Sequence, residues 1–271
     1  MKTTTDYWKR WWNGRGRQDS ANYEVDRGTI CIDAVEHRNT QELLISLAPQ
    51  PTDLLLDVGC GSGANISKLR SRVAYITGMD FSQEMLKRAG ERVSAEAITN
   101  ASLVIGDVTN MPFPDQSYDK ILCASVLQYL NDDECVKAIH EMKRVCRPGG
   151  RIVLHVKNST SLYGISLMAL RRVARLIGRP TRPGIYRPRR WYLQTLTRDG
   201  IQVIADYGFG VFTFVPLSRI IVRWLLQAEL HLLRGPAFRR FGVNYSITAM
   251  VPRSGSPVPG SEVNSYRTRT A

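Results

Sequence analysis

The second half of this chain has almost no acid. Only four Asp and Glu residues follow residue 150, against nineteen Lys and Arg, and every one of those cations except Lys157 is arginine. The first 150 residues hold 18 cations and 20 acids, so the net charge of +13 arises entirely after them. Charge concentrated in this way points to an anionic partner: a membrane surface, a phosphorylated substrate or nucleic acid. A solvated basic surface with no partner is the plainer alternative. Other absences narrow the class. No run of 18 residues is free of charge, which excludes a transmembrane helix of the usual length. Residues 1–12 contain no apolar run, so no secretory signal is expected there. The five cysteines (Cys31, Cys60, Cys123, Cys135 and Cys146) show no paired metal-ligand spacing. No metal site is expected, and an odd, scattered set suits a reducing compartment, hence a cytoplasmic location.

With 271 residues, 43% of them hydrophobic, the chain supports one domain of generous size or a core with additions. Residues 1–50 read as an N-terminal helical cap. Tyr7, Trp8, Trp11 and Trp12 lie close together there, residues 30–47 carry apolar positions at helical spacing, and Pro49-Gln50-Pro51 breaks the chain. Residues 53–58 are a short apolar run ending in glycines, the pattern of a buried parallel strand. Strand and helix patterns then alternate: strands at 74–80, 101–108, 118–125 and 151–157, and helices at 82–93 and 131–147. Asn131 and Glu134 stand at capping-box spacing. Pro148-Gly149-Gly150 reads as the turn into the strand at 151–157. This rhythm predicts an α/β fold, an open and mostly parallel sheet with helices on both faces.

Beyond residue 157 the pattern is less regular. Helices are expected at 161–177, 191–199 and 218–234 and strands at 201–207 and 244–251, with a Pro/Arg-rich loop at 178–190. Residues 253–271 are rich in Ser, Pro, Gly and Arg and are expected to be a disordered tail. The organisation expected is a cap over 1–50, a ligand-binding core over 51–157, and the rest of the sheet with helical insertions over 158–252.

Three signals carry chemistry. Gly59, Gly61 and Gly63 form a turn between a strand and a helix, where glycine lets backbone approach a ligand closely. Asp80 ends the next strand, and an acid about 20 positions beyond such glycines accepts hydrogen bonds from ribose hydroxyls. This pair also occurs in nicotinamide enzymes. Asp107 and Val108 follow the third strand, where an acid beside an apolar side chain can hold an adenine edge and face.

The motifs DVGCGSG (57–63), GMDFS (78–82), GDVTNMPFPDQSYD (106–119) and CRPGG (146–150) occur in order at usual spacings over roughly residues 50–157. Together they resemble the class I S-adenosylmethionine-dependent methyltransferases, in particular the ubiquinone/menaquinone-type small-molecule group. The resemblance implies a Rossmann-like seven-stranded sheet with a reversed last hairpin, and S-adenosyl-L-methionine as cofactor. It places Asp57 and Gly59 beside the methionine moiety and Gly61 and Gly63 below the ribose. It gives Asp80 the ribose hydroxyls, sets Phe81 and Met85 near the adenine, gives Asp107 the adenine amino group and lays Val108 on the ring. Ser125 comes near the methionine carboxylate or the substrate. The His-His pair that such proteins often show near positions 128–129 is absent here, where Gln128-Tyr129 stands.

Methyl transfer from a sulfonium is an in-line displacement with a good leaving group, so alignment is the protein's main task, helped by desolvation. A base is needed only for a poor nucleophile such as an alcohol. By position, His155, Tyr129, Tyr163 and His37 are candidates; packing or pocket-wall roles are the alternatives for each. The acceptor is expected to be a small molecule or lipid-linked: a glycolipid, a polyprenyl-linked sugar or a quinone-like ring. Residues 218–234 place Arg219, Arg223, Gln227, His231 and Arg234 on one arc and Ile221, Trp224, Leu225, Ala228, Leu232 and Leu233 on the other. Residues 161–177 are apolar with a basic end. Such helices can lie on an anionic membrane surface or roof a substrate pocket, and both readings stand at this point. An RNA methyltransferase is the runner-up, disfavoured because neither an aromatic-basic sheet face nor a recognition domain is evident. A cofactor-binding protein without turnover is the non-enzyme alternative.

Overall fold

The structure is a computed structural model describing residues 4–16, 32–178, 184–209, 242 and 244–253. The expected helix at 218–234 and the expected tail lie outside the described residues. Seven strands form one sheet: β1 (Leu54–Val58), β2 (Tyr75–Asp80), β3 (Ala101–Ile105), β4 (Tyr118–Ala124), β5 (Cys146–Lys157), β6 (Gln202–Phe209) and β7 (Asn244–Met250). Their order is β3-β2-β1-β4-β5-β7-β6. The first five are parallel neighbours, and β7 runs antiparallel to both β5 and β6. This is the Rossmann-like sheet with a reversed last hairpin that the resemblance implied.

The central strands read as unbroken apolar runs because both faces of the sheet are covered. On one face α5 (Asp132–Val145) and α7 (Arg189–Arg198) contribute Ile139, Met142, Tyr192 and Leu196 to a core shared with Leu56, Val58 and Ile121. On the other, α2 (Ile32–Leu47) and α3 (Ala64–Leu69) bring Leu43, Leu47, Ile66 and Leu69 against Leu55, Ile76, Leu122 and Val153. Leu86 and Val93 of α4 (Gln83–Ala95) pack at the margin of that second core. Two further helices, α1 (Thr4–Gly16) and α6 (Leu162–Leu176), complete the described elements.

Asn131 caps α5 as its spacing promised. Its Oδ1 accepts from the Glu134 N–H at 2.9 Å, and Glu134 Oε2 accepts from the Asn131 N–H at 2.8 Å. Such a cap is worth about 1 kcal/mol.

Two boundaries differ from expectation for physical reasons. β3 stops at Ile105 rather than at 108: Thr109 donates both its N–H (2.9 Å) and its hydroxyl (2.7 Å) to Asp107 Oδ1, which turns the chain. The Pro148-Gly149-Gly150 segment is part of β5, not a turn. The Gly149 N–H reaches the Val251 carbonyl at 2.7 Å, and the Val251 N–H reaches the Gly150 carbonyl at 3.0 Å. Residue 251 lies just past β7 and supplies partners that local sequence does not reveal.

Candidate active site

The three glycines after β1 all have left-handed backbone, with φ of +70° at Gly59, +53° at Gly61 and +77° at Gly63. Any other residue there carries a steric cost of about 1–2 kcal/mol. Their surroundings separate their roles. A Cβ on Gly59 would lie 2.3 Å from Val126 Cγ2, so this glycine admits the segment after β4. A Cβ on Gly63 would lie 3.3 Å from Ala89 Cβ, so the third glycine lets α4 approach. A Cβ on Gly61 would meet only the tip of Met85, at 3.4 Å. Gly61 is therefore the glycine whose open side faces away from packed backbone.

Asp80 ties this turn to α4. One carboxylate oxygen accepts from the Gly61 N–H at 2.9 Å and the other from the Ser82 N–H at 2.8 Å. Burial lifts its pKa above the usual carboxylate range, and these N–H bonds pull it back only in part. Asp57 differs. It is fully buried in β1, and neither carboxylate oxygen has a hydrogen bond of normal geometry. Burial pushes its pKa up to about 7; the nearby Asn65 amide offsets some of this, and the Asp80 charge adds to it. A buried carboxyl group without partners is expensive. Such a group at the head of a glycine turn is explained if a cationic group of a ligand comes to lie beside it.

The next strand ends supply the rest of the rim. Asp107 and Val108 follow β3, with Val108 packed against the larger core. Ser125, just past β4, has φ of +60°, and its N–H bonds the His155 carbonyl at 2.9 Å. A non-glycine residue held in this region stores strain that often marks a functional position. The segment after β3 is tethered to α5: the Met111 N–H donates to Glu141 Oε2 at 2.7 Å, and Arg144 bonds the Met111 and Phe113 carbonyls, Asp115 and Glu141.

The N-terminal aromatics cross this edge. Trp8 is buried, its ring 4.4 Å from that of Tyr129, and Trp12 lies 5.7 Å from the same ring. Asn13 Oδ1 accepts from the Ser82 hydroxyl at 2.6 Å. The helix α1 thus spans from the turn after β2 to the short 3-10 turn Leu127–Tyr129 after β4. Arg187 fastens that turn from the far side. It is 3% exposed, donates to the Leu127 and Leu130 carbonyls at 3.0 and 2.8 Å and to Asp132 at 2.8 Å, and stacks on Trp191. In the sequence Arg187 stands within a Pro/Arg-rich segment, which does not distinguish it from its neighbours.

Among the candidate bases, Tyr129 lies under Trp8 and Trp12, and the side chains of Tyr163 and His37 lie outside the described residues. His155 on β5 pairs in register with Ala124 of β4 and Ser246 of β7, and Ser246 pairs with Tyr207 of β6. One transverse row therefore carries His155, Ser246 and Tyr207, and α2 covers it with Glu42 and Ser46. The Ser46 hydroxyl bonds Glu42 Oε1 (2.7 Å), Tyr207 (2.8 Å) and Ser246 (2.9 Å); Tyr207 also donates to Glu42 Oε1; and His155 Nε2 lies 3.8 Å from that oxygen. Glu42 is completely buried. This cluster was missed in the sequence, where the only clue was Glu42 and Ser46 sharing the inward arc of a helix with Leu43 and Leu47.

Residues 55–150 match the family described as a methyltransferase domain. Over these residues the chain is similar to a methyltransferase domain. The demethylmenaquinone methyltransferase of Geobacillus kaustophilus is 33% identical over 149 residues, 54% of this chain and 62% of that protein. A phosphatidylethanolamine N-methyltransferase of Cereibacter sphaeroides is 36% identical over 101 residues, 37% of this chain and 48% of that protein. The chain spans about half the length of the curated relatives it matches, from 38% to 62% among the first four. In fold, the chain is similar to geranyl diphosphate C-methyltransferase from Streptomyces coelicolor A3(2), solved with geranyl diphosphate and S-adenosyl-L-homocysteine. That likeness has a TM-score of 0.64 at 17% identity and covers 92% of this chain and 99% of that one. S-adenosyl-L-methionine is the cofactor that the resemblance implies, and the residues fit it. Asp57 is an orphaned buried carboxyl, Gly61 leaves a side open that a Cβ would fill, and Asp80 stands at the expected strand end.

Proposed function

We propose that the chain transfers the methyl group of S-adenosylmethionine to a small or lipid-linked acceptor. The observation that carries this reading is Asp57, wholly buried at the head of the glycine turn with neither oxygen in a hydrogen bond of normal geometry. The cofactor, when bound, supplies an activated methyl on a sulfonium that leaves readily. The chain's own residues bind and align. Asp57 balances the ammonium of the methionine moiety, Asp80 accepts from the ribose, and Asp107 with Val108, Phe81 and Met85 holds the adenine. Ser125 lies at the methionine carboxylate or the acceptor. Trp8, Trp12 and Tyr129 exclude water from above, which sharpens the electrostatics inside. For a hydroxyl acceptor, His155, backed by Glu42, takes the proton. In this reading 51–157 serves the cofactor, 1–50 caps it and 158–252 serves the acceptor.

Calorimetry with S-adenosylhomocysteine tests the core of this reading. Wild type is expected to bind one equivalent, and a chain that shows no binding heat at any pH sinks it.

A further inference from the structure

The face that α6 turns outward is apolar. Among the described residues twelve large hydrophobic side chains are exposed, and six of them fall between positions 165 and 177: Ile165, Met168, Leu170, Val173, Leu176 and Ile177. At 3.6 residues per turn they lie on one arc of about 200°. Arg172 is the one charged residue on that arc whose exposure is described, and α6 contains no acid. The opposite side of the helix is held down. Gly164 is buried so closely that a Cβ would lie 2.3 Å from the Asn158 carbonyl oxygen. Arg171 bonds the Gly184 carbonyl at 3.1 Å and stacks over Tyr186 at 5.0 Å. A surface helix normally turns its charged side to water and its apolar side inward, and a contiguous exposed apolar patch marks an interaction surface.

We infer that this arc of α6 docks the protein on an anionic lipid bilayer. The inference rests on the methyltransferase reading for its purpose: a docked α6 would bring the acceptor side of the molecule to the lipid surface. Charge decides the occupant. A second copy of the chain would set the same basic, acid-free helix against itself, with no carboxylate on either side to balance Arg172. A bilayer with acidic head groups offers both an apolar layer for Leu170, Val173, Leu176 and Ile177 and phosphates for the guanidinium. No described helix is long and apolar enough to cross a membrane, so α6 lies along the interface. Position supports the choice. The helix starts five residues past the carboxyl end of β5, on the edge where open α/β sheets bind ligands. The strand of chain after it, Gly184–Arg187, reaches the Tyr129 turn through the Ile185 N–H to Gln128 carbonyl bond (2.9 Å) and through Arg187.

Sedimentation of the full chain with phosphatidylcholine vesicles, with and without phosphatidylglycerol, tests this. Wild type is expected to sediment with the anionic vesicles and far less with the neutral ones. Replacing Leu170→Ser, Val173→Ser and Leu176→Ser together should weaken vesicle binding by roughly tenfold or more at any salt concentration. Arg172→Gln should weaken it by about fivefold at low salt and hardly at all at high salt. All of these positions are exposed and none belongs to the cofactor site described above, so the variants should bind S-adenosylhomocysteine as wild type does. The inference is overturned if wild type stays in the supernatant with anionic vesicles at low salt, or if the triple variant binds like wild type. It is equally overturned if wild type binds no vesicle and is a dimer that the triple variant turns into a monomer. Failure of wild type to bind S-adenosylhomocysteine would instead remove the methyltransferase reading and leave the vesicle result standing.

Discussion

Replacing Asp57 by Asn should stabilise the cofactor-free protein at neutral pH and weaken its grip on the cofactor. The sign follows from burial. The carboxyl group titrates near 3.8 in an unfolded chain and is pushed up to about 7 in the fold. Between those values the native state holds a proton that the unfolded state has lost. This group's contribution to stability is therefore fully present below pH 4 and declines as the pH rises to about 7, where the buried group ionises. At about 1.4 kcal/mol for each pH unit, the decline attributable to Asp57 is about 4 kcal/mol. The new amide brings its own need for partners, worth about 1–3 kcal/mol. Above pH 7 the net gain of Asp57→Asn should therefore be about 1–3 kcal/mol, and a few degrees in Tm for a chain of this length.

The assay is thermal unfolding of the cofactor-free protein, wild type against Asp57→Asn, at intervals from pH 4 to pH 8. Wild type should lose stability across that window, and the variant should lose much less. A residual slope is expected from Asp80, whose pKa burial also raises. The second arm is S-adenosylhomocysteine calorimetry near pH 6 in buffers of different ionisation enthalpy. If the ligand's ammonium lies beside Asp57, binding should expel up to one proton from wild type and essentially none from the variant. Parallel stability profiles, or proton release that survives the substitution, would refute the assignment of Asp57 to the ligand's cation.

The remaining expectations concern the turn and its supports. Asp80→Ala removes the proposed ribose acceptor and should cost roughly 1.5–3 kcal/mol of S-adenosylhomocysteine affinity, read by calorimetry; unchanged affinity would contradict that role. Gly61→Val places a branched side chain on the open side of the turn at a φ of +53°, and should abolish binding while costing about 1–2 kcal/mol of stability; retained binding would mean the ligand lies elsewhere. Arg187→Met keeps the stem but strands the Leu127 and Leu130 carbonyls. It should lower stability in urea melts by about 2–5 kcal/mol, and a change below half a kcal/mol would show that the 3-10 turn does not depend on it.

What the sequence disclosed depended on whether the information was local. The strands β1 and β2 were legible because a strand covered on both faces has no polar side and reads as an apolar run closed by glycine or aspartate. The acidic and glycine positions of the turn were legible because a tight turn and a strand end restrict residue type within a few positions. Where β5 begins was not legible, since its partners at Val251 lie a hundred residues away and make a Pro-Gly-Gly segment part of a ladder. The short α3 escaped because six residues hold too little periodicity. The separate duties of Gly59, Gly61 and Gly63 could not be read either, because each depends on what a side chain would meet: Val126, Met85 or Ala89. The Glu42 cluster is the extreme case. Tyr207 and Glu42 are 165 positions apart, and only the sheet order β5-β7-β6 under α2 brings them together.

The charge of the second half shows how a correct count can mislead about place. Arg151 donates to the Ser46 carbonyl at 3.1 Å, Arg171 to Gly184, Arg187 to the turn after β4, and Arg189 is paired with Asp206. These four guanidinium groups are occupied within the fold, three of them on backbone carbonyls and Arg189 on a carboxylate. Arg187 uses its planar fork to reach two carbonyls and a carboxylate at once. Such occupancy means that net charge overstates the field available to an outside partner. Among the described residues after position 150, Arg172, Arg190, Arg198 and Arg253 are exposed, and Arg172 is the one that stands amid the exposed leucines, isoleucines and valine of α6. An argument from total charge would have spread the attraction over the whole half and favoured any polyanion equally. The apolar side chains around Arg172 instead favour a partner that is apolar as well as anionic, and single out one helix to test.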